Sequence, residues 1–311
     1  MKKIIILFPG QGSQKVGMGK NLIENSSIAK KLFQDANDIL NKDLLNICLE
    51  GPQETLNLTI NAQPALFVLS MGLFYHLKET GIQASLFAGH SLGELCAYHA
   101  ANVLDFKTSL KLIETRANAM ANAHPQSDSA MAAIIGLNED LIQEELKKCQ
   151  NTIVAANFNA PSQTVISGNK KGFEEAALYL KKAGGKIIPL PVSGAFHSPL
   201  MQTASIALKD YCQNLTFSKA DTPILLNQHA IPEQDAQKLK ENVSQQVVSS
   251  VHWHKGISHH QDQAIFIECG VGTVLKNLNK KIDKGIKTLS LQSLEDLEEI
   301  TNILKEDKAH V

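Results

Sequence analysis

Gly89-His90-Ser91-Leu92-Gly93 places a serine with a glycine two residues to either side. An apolar run, Ser85–Ala88, precedes it, and a helical pattern, Leu92–Ala101, follows. That context predicts a sharp strand-to-helix turn. The glycines let the backbone pack closely, the serine hydroxyl is left exposed, and the helix N-terminus beneath favours a developing negative charge. The chemistry such a turn supports is nucleophilic attack on an acyl carbon. The plainer reading is a glycine-rich βα turn with an incidental serine, and the flanking strand and helix argue against it.

A serine nucleophile needs a base, and eleven histidines compete for the role. His197 stands out because it opens a helix after Pro191-Val192-Ser193-Gly194-Ala195-Phe196, at a strand-to-helix connection that can face the turn. His252, His254, His259 and His260 cluster and could suggest a metal. However, His259 and His260 are adjacent in what reads as a polar loop, with no carboxylate or cysteine to complete a ligand set, so no metal site is expected. His90 either lines the site or is a structural neighbour of the turn. Asn157 and Asn159 sit at i and i+2, on one face of a strand end. For Asn157 a turn built on Asn and Pro fits as well as a role at a site. Asp105, Asp128 and Asp140 fall between Ser91 and His197, where a triad acid would be sought. Asp105 reads as a helix cap, and the other two fall in a separate small unit.

Arg116 is the only arginine; the other 29 basic residues are lysine. A composition that uses Lys wherever a cation suffices keeps Arg where Lys does poorly, such as paired hydrogen bonds to a carboxylate. Phe106, Leu110, Ile113, Ala117 and Met120 trace a buried stripe at helical spacing beside it. Its i±3 and i±4 neighbours, Leu112, Ile113, Ala119 and Met120, are apolar, so this helix offers it no acid. A substrate carboxylate or a distant structural Asp or Glu must supply the counter-charge.

The elements that would carry these residues are short apolar runs alternating with longer helical patterns. Ile4–Phe8 reads as a strand, Ala62–Leu77 as a buried helix, and Asp105 caps a helix to about Ala123. This order implies a parallel α/β sheet. Between residues 126 and 194 the pattern becomes βαββαβ, the ferredoxin-like order. Its runs are Met131–Ile135, Glu139–Cys149, Thr152–Ala156, Thr164–Ser167, Phe173–Ala183 and Lys186–Pro191, with the middle strands joined through Asn159-Ala160-Pro161-Ser162. The expected organisation is a large α/β unit, residues 1–125 and 195–311, interrupted by a small unit, residues 126–194. Further strands of the large unit are expected near Pro223–Asn227, Ala264–Glu268 and Lys287–Leu289, and a fraying tail after Lys305.

The 311 residues are 43% hydrophobic and carry a net charge of −1, which fits a sizeable core and argues against a nucleic-acid binder. The five cysteines are scattered, without CxxC spacing, as in a reducing compartment. Met1-Lys2-Lys3 and the Ile4–Phe8 run are too short for a secretory signal, and no stretch is long and apolar enough to span a bilayer, so a cytoplasmic location is expected.

Several motifs occur in a fixed order. They are Pro9-Gly10-Gln11-Gly12-Ser13-Gln14, Gly89-His90-Ser91-Leu92-Gly93-Glu94, Arg116, Ala155-Ala156-Asn157-Phe158-Asn159, Val192-Ser193-Gly194-Ala195-Phe196-His197-Ser198, Gln246 and Glu268-Cys269-Gly270. From about Phe8 to Leu289 the chain resembles the malonyl-CoA:acyl carrier protein transacylases of fatty acid synthesis and the acyltransferase domains of polyketide synthases. The resemblance implies an α/β-hydrolase-like core with an inserted ferredoxin-like domain. It implies Ser91 as nucleophile, His197 as general base, the N–H groups of Gln11 and Leu92 as oxyanion hole, and Arg116 on the substrate carboxylate. Gln246, preferred over Gln245 by its distance to Trp253, would orient the histidine through its main-chain carbonyl, giving a dyad without an acid. Phe196 and the loop bearing Asn157 and Asn159 would line the site. Cys269 stands where Val is common. The implied reaction moves malonyl from coenzyme A to acyl carrier protein without a further cofactor.

Two rivals share these features. A serine esterase or thioesterase would admit water to the acyl-enzyme and usually carry an acid. A carrier-docking subunit with a degenerate site would lack Ser91 or His197. An acidic carrier would need a local basic patch, and Lys276, Lys280, Lys281, Lys284 and Lys287 form the densest run. Lys276, Lys280 and Lys284 share one face if the segment is helical, although a solvated helix face fits them as well.

Overall fold

The computed structural model describes residues 2–309, so Met1, His310 and Val311 of the expected large unit lie outside the described residues. Among the described residues ten strands form two sheets. β1 (Lys3–Phe8), β2 (Leu86–Gly89), β7 (Ile224–Leu225), β8 (Pro232–Glu233), β9 (Ala264–Cys269) and β10 (Thr288–Leu291) make the larger sheet, in the order β10-β9-β1-β2-β7-β8. β3 (Ser129–Ile135), β4 (Ile153–Ala160), β5 (Gln163–Asn169) and β6 (Lys186–Pro189) make the smaller, in the order β4-β5-β3-β6. The larger sheet is parallel from β10 to β7, with only β8 antiparallel. All pairs in the smaller sheet are antiparallel. The chain is therefore a mixed α/β fold with a parallel-sheet core.

The Ile4–Phe8 run lacks a polar alternate because both faces of its strand are covered. Ile6 and Phe8 pack with the Thr59–Glu79 helix on one side, while Ile5 and Leu7 pack with Trp253, Ile257, Leu275 and Leu278 on the other. The Thr59–Glu79 helix is apolar nearly all round because it is enclosed. In the smaller sheet Ala132, Ile134 and Ile166 meet two helices, Glu139–Leu146 and Lys170–Lys182. Met131, Ala133 and Val165, on its other face, join the main core.

Several boundaries differ from the sequence reading. β4 continues through Asn157, Phe158 and Asn159 to Ala160, leaving Pro161 and Ser162 as the turn. The reason is an extra partner: Phe158 N–H donates to the Val251 carbonyl and Val251 N–H to that of Ala156, at 2.8 Å each. His259 and His260 end a helix, Trp253–His260, and are not in a loop; Ile257 and Trp253 anchor it to the core. The Val274–Ile282 helix stops at Asp283, so Lys284 and Lys287 lie beyond it and only Lys276 and Lys280 share its face. The tail after Lys305, expected to fray, continues the Leu294–Ala309 helix as far as Ala309, and its last two residues, His310 and Val311, lie outside the described residues. Among the described residues no helix is long and apolar enough to cross a membrane.

Candidate active site

The carboxyl ends of β1, β2 and β7 meet at one edge of the parallel sheet, where ligands of such sheets usually bind. Ser91 follows β2 with φ 54 and ψ −107, a backbone conformation that costs a non-glycine residue about 1–3 kcal/mol. The close fit explains the glycines. A Cβ on Gly89 would lie 1.9 Å from the Gly93 carbonyl carbon, and one on Gly93 2.0 Å from the Phe8 oxygen. The Leu92–Ala100 helix starts directly after the serine.

Ser91 Oγ lies 2.7 Å from His197 Nε2. His197 Nδ1 lies 3.1 Å from two main-chain oxygens, of Gln246 and Ser249. Carbonyls only accept, so Nδ1 carries the proton and Nε2 is free to accept from the serine. Burial first, then the charge of Arg116 and the neighbouring His90, push the His197 pKa down to about 3. The imidazole is thus neutral at physiological pH, as a base requires. His197 does not open a helix: it has φ 56, Ser198 caps a short 3-10 turn at Pro199–Met201, and the helix starts at Gln202. Asp128 pairs with His124 at 3.1 Å, Asp140 sits in the first turn of the Glu139–Leu146 helix, and Asp105 caps the Phe106–Asn122 helix.

Arg116 is 1% exposed, at the middle of the Phe106–Asn122 helix. One terminal nitrogen donates to Gln63 Oε1 at 2.8 Å; the other donates to Gln246 Oε1 at 2.8 Å and to Ser91 Oγ at 3.1 Å. Among the described residues no carboxylate forms an ion pair with it. Its principal counter-charge is Glu94, three residues past the serine and fully buried. Burial holds the Glu94 pKa up, at about 7. Burial lowers the Arg116 pKa to about 10, which leaves it charged at neutral pH.

A cavity of about 510 Å³ opens over Ser91, lined in part by Gln11, Leu92, His90, Asn157, Phe196 and His197. Among the described residues, the N–H groups of Gln11 and Leu92 donate to no protein acceptor. Gln11 is held through its side chain, which donates to Thr59 Oγ1 at 3.2 Å, and Thr59 in turn meets Ser193 Oγ at 2.9 Å. His90 Nε2 bonds Asn159 Oδ1 at 2.9 Å, its ring lies 5.7 Å from that of Trp253, and burial lowers its pKa. Asn159 is thereby a support for His90 and does not line the cavity, whereas Asn157 does.

Five supporting residues have no role in the sequence reading: Gln63, Glu94, Asn227, Ser249, and Asn242, whose Nδ2 donates to Glu94 Oε1 and to the Tyr98 hydroxyl. Gln246 also does more than orient the histidine, because its Nε2 donates to the Ser91 carbonyl at 3.0 Å. Glu94 carries a detectable signal, being a lone charged side chain within the apolar run Leu92 to Tyr98. The remaining histidines form no metal centre among the described residues: His254 bonds Glu139 at 2.9 Å and His252 stacks on Phe158.

Residues 5–294 match the model of the acyl transferase domain family. The malonyl CoA-acyl carrier protein transacylase of Bacillus subtilis (strain 168) is 40% identical, covering 99% of both chains. The chain belongs to the malonyl-CoA:acyl carrier protein transacylases. The same enzyme of Staphylococcus aureus (strain COL) is 37% identical over 96% of this chain and 98% of its own. The solved transacylase of Coxiella burnetii superposes with a TM-score of 0.94 at 33% identity, covering 97% of each chain. A malonyl-transacylase solved in complex with its type II PKS acyl-carrier protein superposes with a TM-score of 0.92 at 34% identity, over 95% of this chain and 98% of that one. In this chain His197 and Arg116 both meet the Ser91 hydroxyl oxygen.

Proposed function

We propose that this protein transfers a malonyl group from malonyl-CoA to the phosphopantetheine thiol of acyl carrier protein, for fatty acid synthesis, through a malonyl ester on Ser91. The observation that carries this reading is the single oxygen, Ser91 Oγ, bonded both to a neutral His197 and to the Arg116 guanidinium. The first contact makes a nucleophile. The second sets a carboxylate-binding group within reach of whatever acyl group the serine carries.

His197 Nε2 takes the Ser91 proton as Oγ attacks the thioester carbonyl. The free N–H groups of Leu92 and Gln11 stabilise the oxyanion, a contact worth about 3 kcal/mol per donor. The carbon–sulfur bond breaks, and the coenzyme A thiolate takes the proton from His197. In the second half-reaction the phosphopantetheine thiol gives its proton to His197 and attacks the ester, and Ser91 recovers its proton on leaving. One thioester replaces another, so the reaction is reversible and consumes no cofactor. Arg116 would exchange its bond to the serine for the malonyl carboxylate.

The core fits an α/β-hydrolase-like fold, and the order β4-β5-β3-β6 with two helices on one face supports a ferredoxin-like unit inserted at about residues 126–194. A cytoplasmic location follows from this pathway and from five free cysteines. A thioesterase is disfavoured by His197 Nδ1, which faces two carbonyls in place of an acid. Intact-mass measurement with malonyl-CoA separates the readings. A transferase accumulates a malonyl adduct on Ser91 that holo acyl carrier protein removes, a hydrolase consumes malonyl-CoA without a lasting adduct, and a scaffold does neither.

A further inference from the structure

The parallel ladder between β2 and β7 ends at Ala88 and Leu225, because β2 must swing into the strained serine turn. Asn227, two residues past β7, covers the gap with its side chain. Its Nδ2 donates to the Gly89 carbonyl at 2.6 Å, and its Oδ1 accepts from the Ser91 N–H at 2.7 Å. One carboxamide thus presents the donor and acceptor of a peptide group to the backbone polar groups on both sides of His90. The Gly89 contact is buried, where an unmade bond would cost about 1–3 kcal/mol, and the Ser91 contact is part-buried. The backbone of Asn227 is committed as well. Its N–H donates to Glu94 at 2.5 Å, and its carbonyl accepts from His252 N–H at 2.8 Å. His252 closes the segment whose Gln246 and Ser249 carbonyls orient His197.

We infer that Asn227 is the positioning residue that fixes the strained Ser91 turn and sets it in register with the segment orienting His197. This rests on the acyl-transfer reading above. It adds that the geometry between nucleophile and base depends on a side chain that touches neither reacting group. A shift of about 1 Å in such a pair costs roughly 10²-fold in rate.

The test is Asn227→Asp beside Asn227→Ala. An ionised aspartate keeps the acceptor for Ser91 N–H but sets a second acceptor against the Gly89 carbonyl. A protonated aspartate restores the donor. Asn227→Asp should lower kcat for malonyl-enzyme formation about 10²-fold, with KM for malonyl-CoA within about two-fold. Labelling of Ser91 by a fluorophosphonate, which needs neither carboxylate nor carrier, should slow in parallel. The variant-to-wild-type rate ratio should recover as the pH falls from about 8 to about 5, where a buried aspartate gains its proton. The titratable groups joined to Asn227 are Glu94 and His252 directly, and His197 and Arg116 through Ser91. Their own titration divides out of the ratio except where the new carboxylate couples to it. Glu94, which titrates at about 7 beside Asn227, is that case, and repeating the ratio in a Glu94→Gln background removes it. Asn227→Ala should lose rate similarly with no recovery at low pH. A normal kcat in Asn227→Ala, a loss residing in KM, or a pH-independent ratio in Asn227→Asp overturns the assignment. If wild type itself formed no malonyl-serine yet still reacted with the fluorophosphonate, the malonyl reading would fail while the role of Asn227 stayed testable.

Discussion

The Arg116 guanidinium donates to the Ser91 hydroxyl oxygen at 3.1 Å, from the same nitrogen that bonds Gln246. The cation is therefore held beside the nucleophile by neutral amides, and its charge is compensated only at one remove, by Glu94. Gln63 and Gln246 leave their carboxamide oxygens on the arginine without cancelling its charge, so a carboxylate arriving on the serine is strongly attracted.

Substrate choice follows from that arrangement. Arg116→Ala should lower malonyl transfer about 10²-fold, the usual scale for losing a charge-assisted contact. Acetyl transfer should be unchanged or improved. Arg116→Lys should restore only part, since an ammonium cannot hold Gln63, Gln246 and a carboxylate at once. Malonyl-CoA and acetyl-CoA rates on the folded variants decide it, and an equal fall for both would make Arg116 a support of the fold.

The catalytic pair gives a second prediction. Ser91→Ala should abolish the malonyl adduct. His197→Ala should slow acylation about 10²–10⁴-fold, while Asp128→Asn and Asp140→Asn should change it less than about two-fold. The base works unprotonated, and the His197 pKa is lowered from 6.5 to about 3. The rate should therefore show no acid limb where ordinary histidines titrate. An acid limb of kcat/KM near the ordinary histidine value that persists in Glu94→Gln, which removes the buried carboxyl titrating at about 7, would contradict this, and a loss at either aspartate matching His197→Ala would restore a triad.

How far the sequence announced this site depends on the range of the interaction. The serine turn, β1 and the Asp105 cap are local, written in contiguous residues, and stand where they were read. Arg116 was singled out by composition, but its partners Gln63, Glu94 and Gln246 come from other helices that only the folded core brings near. Asn227 gave no signal of its own because its role is to replace a ladder bond that the turn removes. The local pattern ends β4 at Ala156 because the residue that extends its pairing, Val251, lies nearly a hundred residues later. Local polarity gives His259 and His260 the look of loop residues and conceals the buried Trp253 and Ile257 that hold their helix.

Carrier docking is the third prediction, and the structure narrows it. Lys276 and Lys280 are exposed on one helix face, whereas Lys281 bonds Gln163 at 2.6 Å and Lys284 and Lys287 follow the helix end. If docking is by charge, Lys276→Glu with Lys280→Glu should raise KM for acyl carrier protein by about five-fold or more at low salt, with KM for malonyl-CoA unchanged. Equal effects on both substrates, or none, would place docking elsewhere.

Glu94 supplies the fourth. Its pKa is raised from 4.5 to about 7 by burial, against the opposing pull of Asn227, Asn242 and Arg116. Below 4.5 both native and unfolded chains hold this proton; between 4.5 and 7 only the native chain does. The stability it contributes is present at low pH and lost as pH rises through 7, on the order of 3 kcal/mol in all. Glu94→Gln keeps the shape and neutrality of the protonated acid and cannot titrate. Glu268, raised to about 7, acts in the same direction, and His197, lowered to about 3, acts in the opposite one. Both persist in the variant and cancel in the comparison. The melting temperature of Glu94→Gln relative to wild type should therefore climb as the pH rises from about 5 to about 8. At the low end the variant can sit below wild type, because it presents two amide hydrogens where the acid presents one. A difference that stays constant over this range would mean that Glu94 is ionised throughout. The Arg116 charge would then be matched inside the protein, and the electrostatic attraction argued above for a malonyl carboxylate would be correspondingly weaker.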